Sequence, residues 1–157
     1  MKFWKYHGLG NDFVLSEDLG GTLDATPARA ARLLNRHTGI GGDGWLLVRP
    51  SQSCDIAMFL YNNDGSVAEM CGNGLRCFAK HVYDYGIVKK ERFTVETLAG
   101  VMEVVIDAVD GVTQAVTANL GRASFDRPSI PMVGEGECDR MTIHALDRDF
   151  TVSACLM

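Results

Sequence analysis

The chain has 157 residues, 46% hydrophobic and 22% charged, enough for one ordinary globular core or one complete small domain plus part of another. Its formal net charge of -5, with no basic stripe or arm, argues against nucleic acid as a partner. No apolar run is long enough to span a bilayer. The opening Met1-Lys2-Phe3-Trp4-Lys5-Tyr6-His7 lacks a signal peptide's apolar core, so a cytoplasmic location with no membrane contact is expected.

In chain order, the aromatic-rich residues 3–6 predict a strand, 7–12 a glycine-containing turn, and 13–15 a second extended run. Thr26-Pro27 reads as a helix start, with Thr as N-cap and Pro at the first helical position; the helix is expected to run to residues 37–39. A second glycine loop, Ile40-Gly41-Gly42-Asp43-Gly44, precedes strands at 45–48 and 56–61, the latter apolar throughout and expected to be central. Asn62-Asn63-Asp64-Gly65 is a turn signal. Leu75, Phe78, Ala79 and Val82 recur at helical spacing, predicting a helix over 75–85 that stops at Gly86. Strands follow at 93–98 and 101–106, joined at Ala99-Gly100, and at 112–120 after the Asp110-Gly111 hairpin signal.

Residues 121–140, with Pro128 and Pro131, read as a long connection, followed by short strands at 141–145 and 150–154. The predicted class is α+β, a domain over residues 1–118 followed, over 119–157, by a linker and the first strands of a second, incomplete domain.

The five cysteines are Cys54, Cys71, Cys77, Cys138 and Cys155. They form no Cys-x-x-Cys pair, and no His/Cys/Asp cluster has metal-ligand spacing, so no metal site is expected. Cys54, Cys77 and Cys155 are expected to be small buried hydrophobes, while Cys138 lies in a polar loop and receives no role. Cys71 differs, because it stands directly before Gly72-Asn73-Gly74 at the start of a helix. A helix start offers free N–H groups and a positive dipole end, which favour a thiolate and seat an anion. That pattern points to acid–base or covalent chemistry on a small acid. No histidine is spaced to pair with Cys71, and His81, on the same helix, is expected to be packed or exposed rather than catalytic.

Three glycine- and asparagine-rich loops, at 7–12, 39–44 and 62–65, flank apolar strands. Strand ends that converge at one sheet edge can form one pocket, and asparagine amides suit a zwitterionic ligand. The same residues are also the default formers of turns, so Asn11 and Asn62 remain open between the two readings. None of the loops has the glycine pattern of a dinucleotide fingerprint or a P-loop.

Taken together, His7-Gly8-Leu9-Gly10-Asn11-Asp12-Phe13, Gly39-Ile40-Gly41-Gly42-Asp43-Gly44, Tyr61-Asn62-Asn63-Asp64-Gly65-Ser66, Cys71-Gly72-Asn73-Gly74-Leu75-Arg76-Cys77 and Thr94-Val95-Glu96-Thr97-Leu98-Ala99-Gly100 resemble diaminopimelate epimerase in order and spacing. The resemblance is dense over residues 1–120 and looser beyond. It implies two similar α+β domains, each a curved, mostly antiparallel sheet around a central helix, here the one predicted over 75–85, with the active site in the cleft. It implies an isomerase of lysine and peptidoglycan precursor synthesis that interconverts LL- and meso-2,6-diaminopimelate with two cysteines and no cofactor, neither pyridoxal phosphate nor metal. Cys71 would be one acid–base thiol, Gly72 and Asn73 the carboxylate seat, and Asn11 and Asn62 substrate contacts. The implied partners are a small amino-acid substrate and, in a homodimer, a second copy of the chain.

Two departures stand out. Some members carry Gln where this chain has Gly44. The family's Glu-Arg pair and its second cysteine, in a motif like Ala-Cys-Gly-Thr-Gly, have no counterpart, and Ala154-Cys155 is followed by no glycine turn. The expectation is an incomplete chain, inactive alone. The alternatives are a related racemase of another amino acid, such as histidine, and a non-catalytic carboxylate-binding half-domain.

Overall fold

The computed structural model describes residues 1–156, which divide into two compact units, one spanning Met1–Asn119 and the other beginning at Leu120. The first unit opens with β1 (Trp4–Gly8) and β2 (Asn11–Glu17), paired antiparallel through a two-residue turn. Leu9 (φ 55°) and Gly10 (φ 89°) are both left-handed, the geometry that a tight hairpin needs to match strand twist. The strands therefore run closer to the turn than the glycine pattern predicted.

Helix α1 (Pro27–Leu34) starts as expected, with Thr26 Oγ1 accepting from the Arg29 N–H. It ends earlier than expected. The Asn35 side chain accepts from the His37 and Thr38 N–H groups, and the N–H groups of Ile40 and Gly42 close onto the carbonyls of Leu33 and Leu34. An asparagine that bonds its own downstream backbone offers the chain an alternative to another helical turn.

Strands β3 (Gly44–Arg49) and β4 (Ile56–Asn62) follow, then the short β5 (Val67–Ala68), which the sequence did not suggest. Helix α2 (Gly72–Asp84) starts three residues before the apolar period begins and closes at Gly86, whose φ of 68° suits glycine. The unit finishes with β6 (Arg92–Thr97), β7 (Gly100–Val109) and β8 (Val112–Asn119). One sheet holds all eight strands in the order β1-β2-β3-β4-β6-β7-β8, with β5 added beside β4, so β4 is central. The β2–β3 and β4–β6 pairs are parallel and the rest antiparallel.

The two faces of the sheet carry different helices. Val14, Trp45, Leu47 and Tyr61 pack with Ala30 and Leu34 of α1. Phe13 and Leu46 lie on the other face, against Gly74 at the start of α2. Helix α2 touches β1, β2, β3, β7 and β8, so the sheet curls around it as a half-barrel with α2 at its centre. Burial on both faces explains why β3 reads as a continuous apolar run. The buried aromatics keep their polar ends satisfied: Trp45 Nε1 donates to Ser16 Oγ (3.1 Å) and Tyr61 OH to the Ala25 carbonyl (2.9 Å).

His81 of α2 is fully buried, packed between Trp4 and Tyr85. Its Nε2 is 3.0 Å from Glu17 Oε1 and its Nδ1 is 3.0 Å from Tyr6 OH. A carboxylate only accepts, so neutral His81 donates from Nε2 to Glu17 and accepts at Nδ1 from Tyr6. Burial pushes the imidazole below its ordinary value against the opposing pull of Glu17, and burial pushes the Tyr6 hydroxyl up to about 12.

The second unit contains the antiparallel pair β9 (Met141–Ala145) and β10 (Arg148–Val152), turning at Leu146 and Asp147, both with positive φ. Residues 121–140 are more than a connection: Ser124 pairs with Leu156, Asp126 pairs with Glu137, and the Cys138 N–H donates to the Phe125 carbonyl. Cys138 is consequently fully buried, whereas Cys155, expected to be inside, is exposed. No helix among the described residues is long and apolar enough to cross a membrane.

Candidate active site

Cys71 is the N-cap of α2. Its backbone is extended (φ -147°, ψ 116°) while its carbonyl already accepts from the Leu75 N–H (2.7 Å). Its Sγ takes the place of a capping oxygen, accepting from the Gly74 N–H at 3.4 Å. The N–H groups of Gly72 and Asn73, the first two of the helix, have no carbonyl one turn back and point out of its positive end. Three small or polar residues in a row weaken the helix by propensity, but they let it approach the sheet closely. A Cβ on Gly74 would stand 3.3 Å from Leu46 Cδ2, and one on Gly8 would stand 3.3 Å from Asn73 Cβ.

Asn11 faces Cys71 from the first residue of β2. Its Oδ1 is 3.6 Å from Cys71 Sγ and 3.4 Å from Asn73 Nδ2, while its own Nδ2 donates to Asp43 Oδ2 at 2.9 Å. The Asp12 N–H donates to the same Asp43 oxygen (3.0 Å), and the Asp43 N–H returns a bond to the Asp12 carbonyl (2.8 Å). Arg36 ties the two acids together, with Nη2 2.5 Å from Asp12 Oδ1 and 2.8 Å from Asp43 Oδ1. Lys5 adds an ion pair to Asp12 (2.6 Å) and a bond to the Gly41 carbonyl. The Arg36 guanidinium, with Lys5, holds the Asp12 carboxyl far below the usual carboxylate range; the Asn11 amide and the Asp12 N–H lower that of Asp43.

Asn62 ends β4, opposite Gly44 of β3, which in turn lies opposite Phe13 of β2. Asn11, Asp43 and Asn62 thus sit at one end of three adjacent strands, each strand about 4.8 Å from the next. Asn62 is held by its own turn: Nδ2 donates to Ser66 Oγ (3.0 Å) and the backbone N–H to the Ser66 carbonyl (2.8 Å). The structure therefore joins Asn11, Cys71 and Asn73 in one hydrogen-bonded group, with Gly72 between the last two at the first position of α2, and sets Asn62 at the same sheet end on its own turn. At Gly44 a Cβ would stand 2.8 Å from Leu60 Cδ1 and 3.1 Å from the Phe13 ring, so that position is packed.

Asp12, Arg36 and Asp43 were not singled out from the sequence. The available signal was an acid at the end of each of two glycine loops with a basic residue nearby, but only the β2–β3 pairing brings them together.

The other cysteines of this unit are placed differently. Cys77 is buried on α2, and burial pushes its thiol up to about 11. It lines a cavity of about 240 Å³ between β1, α2 and β8, together with Tyr6, His7, Arg76 and Lys80. Cys54 is half-buried in the β3–β4 loop, beside Ser53. A wider depression of about 670 Å³ runs along α1, lined by Thr26, Arg29, Arg32 and Thr38, and has no thiol. Among the described residues, no group of three or more His, Cys, Asp or Glu gathers to hold a metal ion.

Residues 3–125 match the family model described as diaminopimelate epimerase. The chain belongs to this family. It is 49% identical over 135 residues to the diaminopimelate epimerase of Caldanaerobacter subterraneus, covering 86% of this chain and 48% of that one. It is 40% identical over 158 residues to the enzyme of Clostridium perfringens, covering 100% of this chain and 58% of that one. The chain thus spans about half the length of the curated relatives it matches. Among solved structures, the fold is similar to a hydroxyproline epimerase from Agrobacterium vitis (TM-score 0.65, 15% identity, 98% of this chain and 48% of that one). It is also similar to a PhzF-family protein from Bacillus anthracis (TM-score 0.53, 20% identity, 70% and 38%).

Proposed function

We propose that this chain carries one half of the acid–base machinery of a diaminopimelate epimerase, with Cys71 as the thiol on one face of the substrate α-carbon. The observation that carries this reading is Cys71 at the N-cap of α2, with its sulfur on the Gly74 N–H and the Gly72 and Asn73 N–H groups beside it. The α-carboxylate would lie on those two N–H groups. The Cys71 thiolate would take the α-proton, the electron pair would move into the carboxylate, and the fixed N–H dipoles would stabilise the charge that develops there. The Asn11 amide oxygen, turned toward the site, suits the substrate's ammonium. Asn62, at the same sheet end, would contact the rest of the substrate.

Inversion needs a second thiol on the opposite face, and we assign none of the other cysteines to it. Cys77 is buried and its thiol is held protonated, Cys54 is in the distant β3–β4 loop, and Cys138 and Cys155 belong to the second unit. The reaction runs in this reading once a second half supplies that thiol, and the 157-residue chain alone binds substrate without inverting it. The test is exchange of the diaminopimelate α-proton with solvent deuterium in the protein that joins this chain to its second half. Exchange lost in Cys71→Ala is the expected result; exchange unchanged in that variant overturns the role given to Cys71. Calorimetry with diaminopimelate on the chain alone tests the seat, and no heat at millimolar ligand overturns it.

A further inference from the structure

Asn11 reaches both the thiol and an acid through one amide. Its two ends are chemically different, since the nitrogen only donates and the oxygen only accepts. Asp43 Oδ2 is a carboxylate oxygen and accepts from two directions, from Asn11 Nδ2 at 2.9 Å and from the Asp12 N–H at 3.0 Å. An amide oxygen turned toward Asp43 would face a negative charge with no proton between them. The orientation of Asn11 is therefore fixed by the chemistry of its neighbour, and its oxygen must point at Cys71 Sγ and Asn73 Nδ2.

We propose that Asp43 is a positioning residue for Cys71: by taking the Asn11 amide nitrogen, it aims the amide oxygen at the sulfur, so that Cys71 donates its S–H to that oxygen. Asp43 is itself held on three sides, by Arg36 Nη2 (2.8 Å), by the Asp12 N–H and by its own N–H on the Asp12 carbonyl. Arg36 is shared with Asp12, which Lys5 also pairs, so the acid, its cation and the glycine loop form one rigid brace behind Asn11. Titratable or charged groups near the thiol in the chain or the fold include, on α2, Arg76, which donates to Asn73 Oδ1 at 2.5 Å, and the buried Cys77; before α2, Glu69; and on β1, His7, which shares a cavity with Arg76 and Cys77. An ammonium donating to the Asn11 oxygen would displace the thiol as its hydrogen-bond partner, and the displaced thiol would pass its proton to solvent water to leave the thiolate. The inference deepens the assignment of Cys71 above and rests on it as the reactive thiol of this site.

The test needs no substrate. Alkylation of Cys71 by iodoacetamide at a fixed neutral pH, followed by peptide mass analysis, reads how readily the thiolate forms. Asp43→Asn lets the Asn11 amide turn and donate to sulfur, so the rate should rise about three- to tenfold, the weight of one hydrogen bond. In an Asn11→Ala background the same Asp43→Asn change should leave the rate within about twofold, because the effect passes through Asn11. A rise of equal size in both backgrounds means that the loop has merely loosened and overturns the proposal, as does no rise in the wild-type background. If circular dichroism shows Asp43→Asn unfolded, side-chain amide exchange in the wild-type chain decides instead. The Asn11 amide protons should exchange at least about tenfold more slowly than those of exposed Asn63, and equal rates overturn the proposal. Coupling observed in a protein that fails to exchange substrate α-protons would keep this inference and remove the epimerase reading.

Discussion

Gly8 and Asn73 are in backbone contact range: a methyl group on Gly8 would stand 3.3 Å from Asn73 Cβ and 3.4 Å from the Asn73 carbonyl oxygen. The end of β1 thus sets how closely the start of α2 can approach the sheet. Gly8→Val should push α2 away and cost about 1–3 kcal/mol by overpacking, measured by urea unfolding. The carboxylate binding proposed for the Gly72 and Asn73 N–H groups should weaken with it, since both groups move together with the helix.

Gly65 makes a second close approach. Its φ is 87°, and a Cβ there would stand 2.5 Å from the Pro27 carbonyl oxygen. Gly65→Ala meets both the left-handed backbone penalty and that contact, so a loss of more than about 2 kcal/mol is expected. The turn that holds Asn62 against Ser66 should loosen, which nuclear magnetic resonance of the Asn62 side-chain amide would detect.

The thiols should separate by reactivity. Cys77 is buried with its thiol pushed up to about 11, whereas Cys71 is half-buried and Cys155 exposed. With a thiol reagent at about pH 8, Cys77 should label about a hundredfold more slowly than an ordinary exposed thiol. Mass mapping of the labelled peptides against time checks the order, with Cys155 and Cys71 ahead of Cys77.

Acid should weaken the fold in two stages. His81 has an ordinary value of 6.5 that burial lowers in the folded state, so below that pH the unfolded chain binds more protons and stability falls. Between pH 6.5 and about pH 5 the loss from this group is at most about 2 kcal/mol. Asp12 is lowered in the folded state from 3.8, so the stability it lends is complete above that value and disappears only in stronger acid. Urea unfolding at stepped pH should show both stages; His81→Phe should flatten the first, and Asp12→Asn should reduce the second, to which the lowered carboxyls of Asp43, Asp55 and Asp84 also contribute.

The sequence was clearest where one residue decides the local geometry. Thr26 and Pro27 marked the start of α1, Gly86 the end of α2, and Asp110-Gly111 the β7–β8 turn. It was least clear where a side chain competes with the backbone: α1 stops at Asn35 because that amide caps the following N–H groups, which apolar spacing does not register. Helix α2 begins at Gly72 although the apolar period begins at Leu75, because the first turn is glycine-rich and packs by backbone rather than by side chain. Within the site, Cys71 and its helix start were legible because they are contiguous. The Asn11–Asp43 bond joins residues 32 positions apart through the parallel β2–β3 pair, and Arg36 was hidden for the same reason.

That parallel pairing also bears on the order of folding. A parallel pair cannot close through a tight turn; the chain between β2 and β3 must first pass through α1, and that between β4 and β6 through α2. The β1–β2 and β7–β8 hairpins are local and should form early, whereas β2–β3 and β4–β6 must first meet the entropy of longer closures. The group around Cys71 draws on β2, on the loop before β3 and on the start of α2, so it is assembled only when the β2–β3 crossover is shut and α2 has docked on the sheet. Cys71 should thus acquire its surroundings among the last events of folding, and a partly folded chain would expose a cysteine there without its Asn11 and Gly74 partners.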